Sequence, residues 1–340
     1  MRVGANPVPP AGLLRPGVRV LVRVPATSAN LGPGFDAFGL ALALYDEIEL
    51  QAGSGSAEPR VEVQGQQSDA LPRDASHLVF QAVVAGLAVA GVPADAIRSA
   101  GLDLRCHNRI PHGRGLGSSA AAVVAGLLAA RGLLTEPGRL DDDTVLALAT
   151  RFEGHPDNAA AALLGGFTIS WPADLVPGQP ATAGPASTAR AVRLEVHPSV
   201  AAVICIPAGE LATAKARKML PAEVSHADAA FNAGRSGLLV EALSRRPDLL
   251  LEATADRLHQ SQRAPAMPQT LALLQRIRAA GGAAVVSGAG PSVLVLGPAA
   301  TVGPLVGSVL ALTTERQTWQ LLPIEISTLG AQVTTEGVRH

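Results

Sequence analysis

The sequence predicts a chain of mixed helices and strands, class α+β, built in two lobes. Three observations point there. Alternating apolar residues open the chain as a strand-rich meander. A strand, a glycine loop and an apolar helix follow one another between Leu102 and Ala130. A Pro-, Ala-, Gly- and Ser-rich stretch, residues 172–191, then separates this region from a second set of strands and helices. A length of 340 residues suits two domains or one large one, and that stretch decides for two. The expected division is a disordered leader at 1–16, a first domain at 17–175, a linker at 176–190, a second domain at 191–330 and a tail at 331–340.

Val18, Val20, Val22 and Val24 alternate with Arg19, Leu21 and Arg23, which predicts a strand. The loop Pro25–Leu42 follows. Gly and Pro punctuate Asn30-Leu31-Gly32-Pro33-Gly34, which cannot be regular structure, so a shaped loop holds one amide, Asn30, and one carboxylate just beyond that run, Asp36. Residues 42–50 resume an extended pattern, Gly53-Ser54-Gly55-Ser56 marks a turn, and residues 60–63 begin a strand. Ser76 is placed to cap a helix over 77–90. Leu102, Leu104 and Cys106 alternate with Asp103, Arg105 and His107, a half-buried strand.

Next comes PHGRGLGSSAAAVVAGLLAA, residues 111–130. Gly113, Gly115 and Gly117 recur at every second position before Ser118 and Ser119. A backbone free of Cβ atoms can curve its N–H groups around an anion, and the helix that follows presents a positive end. The Walker A loop needs Gly-Lys-Ser/Thr, and no lysine lies here. The dinucleotide fingerprint needs G-x-G-x-x-G near the start of its domain, whereas this loop reads G-x-G-x-G after more than 100 residues.

A polar loop over 135–143 leads to a helix over 144–152, which ends in EGHPDN. Glu153, His155, Asp157 and Asn158 thus place four ligand or proton-transfer side chains within six residues. Ordinary helix capping by Asp157 or Asn158 is the plainer reading of part of that cluster. Residues 159–164 are helical and 167–171 extended; residues 192–196 and 201–206 are strands that open the second lobe. Thr213 and Arg217, in TAKAR, share one face if helical. Helices dominate 226–278, with Arg263 just before a proline-broken segment. Residues 285–296 read as strand, tight turn at Gly288-Ala289-Gly290, and strand.

Composition narrows the function classes. A formal net charge of −1 implies no nucleic-acid partner. No apolar run reaches membrane-spanning length. Two cysteines, Cys106 and Cys205, make neither a disulfide framework nor a metal cluster and suit a reducing cytoplasm. Lys215 and Lys218 are the only lysines, so lysine-dependent chemistry is confined to them.

VPATSANLGPGFDAFGLAL, PHGRGLGSSAAAVVAG and SGAGPSVLVL together resemble the three signature motifs of the GHMP small-molecule kinases. The first motif is similar to that of the homoserine kinase branch, unlike the galactokinase-like opening or the lysine-bearing mevalonate-kinase-like one. EGHPDN, TAKAR and Arg263 match the same pattern. The resemblance implies an N-terminal domain like ribosomal protein S5 domain 2, with a left-handed β-α-β crossover, and a ferredoxin-like C-terminal domain. It implies transfer of the ATP γ-phosphoryl group to the hydroxyl of L-homoserine, in threonine biosynthesis. The nucleotide tail would lie on Pro111, His112, Gly113, Arg114, Gly115, Leu116, Gly117, Ser118, Ser119, Ala120 and Ala121. Ser119 and Glu153 would hold Mg²⁺. Arg217 and Arg263 would take the substrate carboxylate and Asp36 its ammonium. Asn30, His155 and Asn158 would orient the hydroxyl or the backbone, and Thr213 would sit near the γ-phosphate, so that Asn158, Thr213 and Arg217 form the catalytic set. Helices of the second domain are where the family pattern would pair two chains as a homodimer.

Asn158 stands where mevalonate-type relatives place an aspartate base, and an amide cannot accept a proton at neutral pH. The expectation is that no strong protein base operates, with Asp157 structural. His77 stands where similar sequences carry an asparagine that contacts adenine, so the sequence does not assign it that contact. The rival readings are another GHMP kinase with a different small alcohol, and a non-catalytic ligand sensor of the same fold. A substrate without an ammonium leaves Asp36 and the paired arginines unexplained. A sensor would have lost a metal ligand, yet Ser119 and Glu153 are both present.

Overall fold

In the computed structural model, the described residues are 12–53, 59–173, 188–313 and 318–337. The first lobe contains β1 (Val18–Ala29), β2 (Phe38–Ala52), β3 (Arg60–Gly65), α1 (Leu78–Val89), α2 (Ala94–Ser99), β4 (Leu102–Asn108), α3 (Ser118–Leu133), α4 (Asp142–Glu153), α5 (Asp157–Leu164), β5 (Phe167–Pro172) and β6 (Ala189–Leu194). The second contains β7 (Val200–Pro207), α6 (Thr213–Arg217), α7 (His226–Ser244), α8 (Leu250–Ala253), α9 (Pro268–Ala279), β8 (Ala283–Val286), β9 (Val293–Pro298), α10 (Ala299–Ala311) and β10 (Trp319–Ile324). A final strand, β11 (Gln332–Gly337), returns to the first lobe.

The first sheet runs β11-β1-β2-β4-β3, with β5 also on β2 and β6 on β5. Its pairs are antiparallel except β3 with β4, which α1 and α2 connect. Alternation decides its two faces. Val20, Val22, Val24, Leu40, Ile48 and Leu50 are buried on one side. On the other, Arg19, Glu49, Arg105 and Glu62 form a chain of ion pairs at 3.3–3.6 Å. α3 is central to the buried side: twelve of its residues are buried, as expected of a helix apolar on all faces. The packing of α3 against α1, β1, α4 and α5 fixes the direction in which the glycine loop enters it.

The second sheet has order β10-β7-β9-β8, all antiparallel. Helices α6 to α9 lie between β7 and β8 in the chain, and α10 lies between β9 and β10. This is the βαββαβ order of a ferredoxin-like domain, as the family resemblance implies.

Several expectations need correction. Ser76 does not cap α1. His77 is the N-cap residue and makes no side-chain cap bond, while the Ser76 hydroxyl and N–H both bond Asp74 Oδ1. This local Asx arrangement outcompetes the cap. The shaped loop is shorter than residues 25–42, because β1 extends through Ala29 and β2 begins at Phe38. α4 begins at Asp142, two residues earlier than the expected 144, and Asp141 caps it by accepting from Thr144 N at 2.8 Å. Residues 331–340 are not simply a tail, because β11 pairs with β1 from Val18↔Gly337 to Arg23↔Gln332. β6 begins before residue 191 and stays in the first sheet through its pairing with β5. The last residues of the expected leader are anchored: Leu13 is buried, and Arg15 N donates to Leu133 O at 2.8 Å. The rest of that leader, most of the linker and the turn at 54–56 lie outside the described residues. Among the described residues, no helix is long and apolar enough to cross a membrane.

Candidate active site

The two lobes meet around the glycine loop. Gly113, Gly115 and Gly117 all have left-handed φ, from 63° to 71°. At Gly115 a Cβ would come within 2.2 Å of Ser287 O, and at Gly117 within 1.9 Å of Thr27 Oγ1, so neither position accepts a side chain as the loop stands. The Ser287 hydroxyl donates to Gly115 O at 2.7 Å and can accept from the Ser28 hydroxyl at 2.9 Å. Leu211 N donates to Gly113 O at 3.0 Å, and Thr27 N to Leu116 O at 3.0 Å. The SGAG turn expected from the sequence therefore clamps the loop from the second lobe. Gly117 caps α3 with no side-chain acceptor, which leaves the first N–H groups of the helix open to an anion.

A cavity of about 300 Å³ lies over this loop. Its wall includes Gly113, Gly115, Leu116, Gly117, Ser118 and Ser119 from the loop. EGHPDN contributes Glu153, His155, Asp157 and Asn158. Asn30, Thr213, Arg217 and Arg263 complete the predicted residues that reach it. Asp36, Pro111, His112, Arg114, Ala120 and Ala121 do not line it. Ala120 and Ala121 are fully buried in α3, and Arg114 donates to Ala208 O at 2.6 Å and pairs with Glu210 at 3.3 Å. Lys215 and Lys218 do not line it either, and His77 is buried outside it. Phe152, Leu211, Gly288 and Ala289 are wall residues that the sequence did not single out for ligand contact.

At one end, Ser119 Oγ donates to Glu153 Oε1 at 2.6 Å. A hydroxyl and a carboxylate this close are hard oxygen donors that suit Mg²⁺, which keeps most of its water. Burial pushes the Glu153 carboxyl up, partly offset by the Ser119 bond. In the middle, the Thr27 hydroxyl donates to Asn158 Oδ1 at 2.8 Å. That bond uses the amide oxygen, and Nδ2 donates one hydrogen to Asp157 Oδ1 at 3.4 Å, which leaves its second hydrogen to meet a substrate oxygen. Sequence reasoning missed Thr27, whose only signal was its place inside the first motif.

His155 Nδ1 bonds Asp157 Oδ1. Burial opposes the imidazolium, but the Asp157 carboxylate outweighs it and raises the His155 pKa. Asp157 is buried, and its Oδ2 has no hydrogen-bond partner among the described residues. Asp36, His155 and Asp157 also bring ligand atoms within 4.8 Å of one another. The neighbouring Arg217 makes that trio a poor dication site and a better one for an ammonium paired with a carboxylate.

At the other end, Arg217 grips Asp36 through two bonds, Nη2–Oδ1 at 2.6 Å and Nη1–Oδ2 at 3.1 Å. The two groups assigned to opposite ends of a zwitterion thus hold each other across the lobe boundary. Asn30 and Asp36 both sit at positive φ, 69° and 55°, unusual for residues with a side chain. Asn30 holds the turn: its Oδ1 accepts from Asp36 N at 2.9 Å and its Nδ2 donates to Gly288 O at 2.8 Å. Arg263 is 1% exposed and donates from Nη1 to Gly288 O at 3.1 Å. Its Nε is buried without a partner among the described residues. Burial lowers the pKa of Arg263, an effect that a bound anion would relieve.

Comparison with known proteins follows the same lines. Residues 77–166 match the GHMP kinases N terminal domain and residues 238–303 the GHMP kinases C terminal family. Homoserine kinase of Streptomyces avermitilis is 51% identical over 278 residues, 82% of this chain and 85% of that one. Homoserine kinase of Clavibacter michiganensis subsp. michiganensis is 47% identical over 328 residues, 95% and 97% of the two chains. The crystal structure of homoserine kinase from Cytophaga hutchinsonii superposes with a TM-score of 0.76 at 26% identity, covering 93% of this chain and 97% of that one. A mevalonate diphosphate decarboxylase from Staphylococcus aureus, 16% identical with a TM-score of 0.60, shares the fold. On this identity and coverage, the chain belongs to the homoserine kinase family of the GHMP kinases.

Proposed function

We propose that this kinase transfers the γ-phosphoryl group of ATP to the side-chain hydroxyl of L-homoserine, giving O-phospho-L-homoserine and ADP for threonine biosynthesis. The observation that carries the reading is one cavity, floored by the glycine loop and lined by Arg217 and Arg263, with Asp36 bonded to Arg217 beside it. A small zwitterion with a hydroxyl tail answers all three charges. The loop N–H groups and the α3 N-terminus would hold the phosphates. Ser119 and Glu153 would hold Mg²⁺, which neutralises charge on the β- and γ-phosphates when bound.

Arg217 would release Asp36 to pair with the incoming carboxylate, while Asp36 turns to the ammonium. Arg263 would add a second guanidinium, planar and suited to bidentate pairing. His155, whose charged form the Asp157 carboxylate favours, would add positive charge to the site when protonated. Asn158 Nδ2, fixed by Thr27, would donate to the substrate oxygen. The hydroxyl oxygen forms its bond to phosphorus as the bond to the ADP oxygen breaks, and the hydroxyl proton passes late to a phosphate oxygen. A loose transition state permits this order, because the nucleophile needs little activation before attack. The test is coupled ADP release with L-homoserine against L-serine, L-threonine and mevalonate. Preference for L-homoserine supports the reading; preference for mevalonate overturns it.

A further inference from the structure

We propose that His259, which lines no wall of the cavity, is the positioning residue that presents Arg263 to the substrate. The proposal rests on the reading that Arg263 takes a carboxylate. It begins from how Arg263 is held. Nη1 carries both of its observed bonds, to Gly288 O at 3.1 Å and to His259 Nδ1 at 3.1 Å. Nε is buried with no partner among the described residues, and the residue lines the cavity. The tethered corner is therefore one end of the guanidinium, and the Nε–Nη2 edge is left to pair side-on with a carboxylate.

The bonds fix the tautomer of His259. A guanidinium can only donate, so Nδ1 must be the unprotonated acceptor. The other ring nitrogen lies 2.8 Å from Gly32 O, which can only accept, so Nε2 carries the hydrogen. His259 is fully buried, and burial disfavours its charged form. An imidazolium would lose the acceptor and set a second cation against Arg263.

The ring is itself anchored. Asp256 Oδ2 accepts from His259 N at 3.1 Å and Gln260 N at 2.8 Å, while Oδ1 accepts from Leu258 N at 2.9 Å and Asn232 Nδ2 at 2.9 Å. That carboxylate pins the backbone on which His259 stands. Phe35 covers the cluster: its ring centroid is 5.2 Å from that of His259 and 5.7 Å from Arg263 Cζ. The 5.8 Å from Phe35 to Arg217 Cζ ties this apolar lid to the second arginine. Gly32 and Phe35 belong to the first motif, and His259 and Arg263 to the second lobe. His259 thus couples the Asn30–Asp36 turn to the carboxylate receptor.

The experiment compares His259→Gln and His259→Asn on L-homoserine and on 3-aminopropan-1-ol, the same alcohol without its carboxylate. Gln can reach the Gly32 carbonyl from near the Nε2 position but offers no acceptor at Nδ1. Asn places its amide near Nδ1. A bond to a charged group is worth roughly a tenfold change or more, so His259→Gln raises KM for L-homoserine by about that factor. KM for ATP stays within about twofold, and so does kcat/KM for the carboxylate-free alcohol, because neither interaction passes through Arg263. His259→Asn recovers most of the loss. An unchanged KM for L-homoserine in His259→Gln overturns the proposal, as do equal losses on both alcohols or no recovery in His259→Asn. Nitrogen-15 NMR of the wild-type histidines gives a test independent of variant folding: Nε2–H with bare Nδ1 at His259 supports it, and the opposite tautomer or an imidazolium refutes it. Wild-type protein inactive on L-homoserine would instead sink the functional reading, with the tautomer still testing the tether.

Discussion

Asp36→Asn separates the substrate role of Asp36 from its part in the fold. The substitution keeps the shape and the Asp36 N–H bond to Asn30 but removes the charge. In the free protein it costs the ion pair with Arg217, whose side chains are 35% and 33% exposed. Such solvent-screened pairs contribute about 0–1 kcal/mol, so the loss of stability is at most about 1 kcal/mol. In the complex it removes a charge-assisted bond to an ammonium, worth roughly 1.5–3 kcal/mol. At about 1.4 kcal/mol per tenfold, KM for L-homoserine rises roughly 10- to 150-fold. The coupled ADP assay reads this directly, with KM for ATP as an internal control. 4-Hydroxybutanoate, which lacks the ammonium, should lose nothing from the substitution. Homoserine KM within twofold of wild type, or an equal rise in ATP KM, would refute the assignment.

Thr27→Val deletes the hydroxyl that fixes Asn158 at nearly constant volume, so kcat falls about tenfold with KM for ATP unchanged; an unaltered kcat, or failure of Thr27→Ser to restore it, contradicts the role. Asp157→Asn costs less than about 1000-fold in kcat with folding intact, because general bases contribute ~100 to 10,000-fold and Asp157 is expected to support His155 instead; a larger loss would mean that it is the base. Stability should fall as pH rises from 6.5 to 8, read as the urea midpoint. Burial lowers the pKa values of His77, His112 and His259, so their contribution is present above the unfolded value near 6.5 and lost as pH falls, at up to about 1.4 kcal/mol per pH unit each. The raised pKa of His155 acts oppositely: its contribution is complete below the unfolded value and lost as pH rises through the folded one. A midpoint that rises between pH 6.5 and 8 would contradict the sign at His155, while below 6.5 the raised carboxyls of Glu153 and Asp46 oppose the three lowered histidines.

Local chemistry was legible in the sequence, and long-range pairing was not. The glycine loop declares itself because every part of it lies within a dozen residues. TAKAR likewise becomes α6, with Thr213 and Arg217 on the cavity wall. Charge arithmetic on a zwitterion, with the family resemblance, brought Asp36 and Arg217 to one site. It did not reveal that they pair with each other, 181 positions apart, when no substrate intervenes. Thr27 and His259 stayed hidden for a related reason. Neither chemistry shows until Asn158 is placed 131 residues from the one and Gly32 lies 227 residues from the other. β11 escaped notice because it is an edge strand with only Val333 to mark its buried face, and its partner lies at the opposite end of the chain.

The central claim is that main-chain amides of the glycine loop, with Ser119 and Glu153, receive the anionic tail of the nucleotide. A crystal structure of the protein with a non-hydrolysable ATP analogue, Mg²⁺ and L-homoserine tests it most directly. Phosphate oxygens are expected against the N–H groups of residues 113–119, the ion between Ser119 and Glu153, and the amino acid between Asp36 and the two arginines. A triphosphate bound away from that loop, or an amino acid touching neither Arg217 nor Arg263, would contradict it.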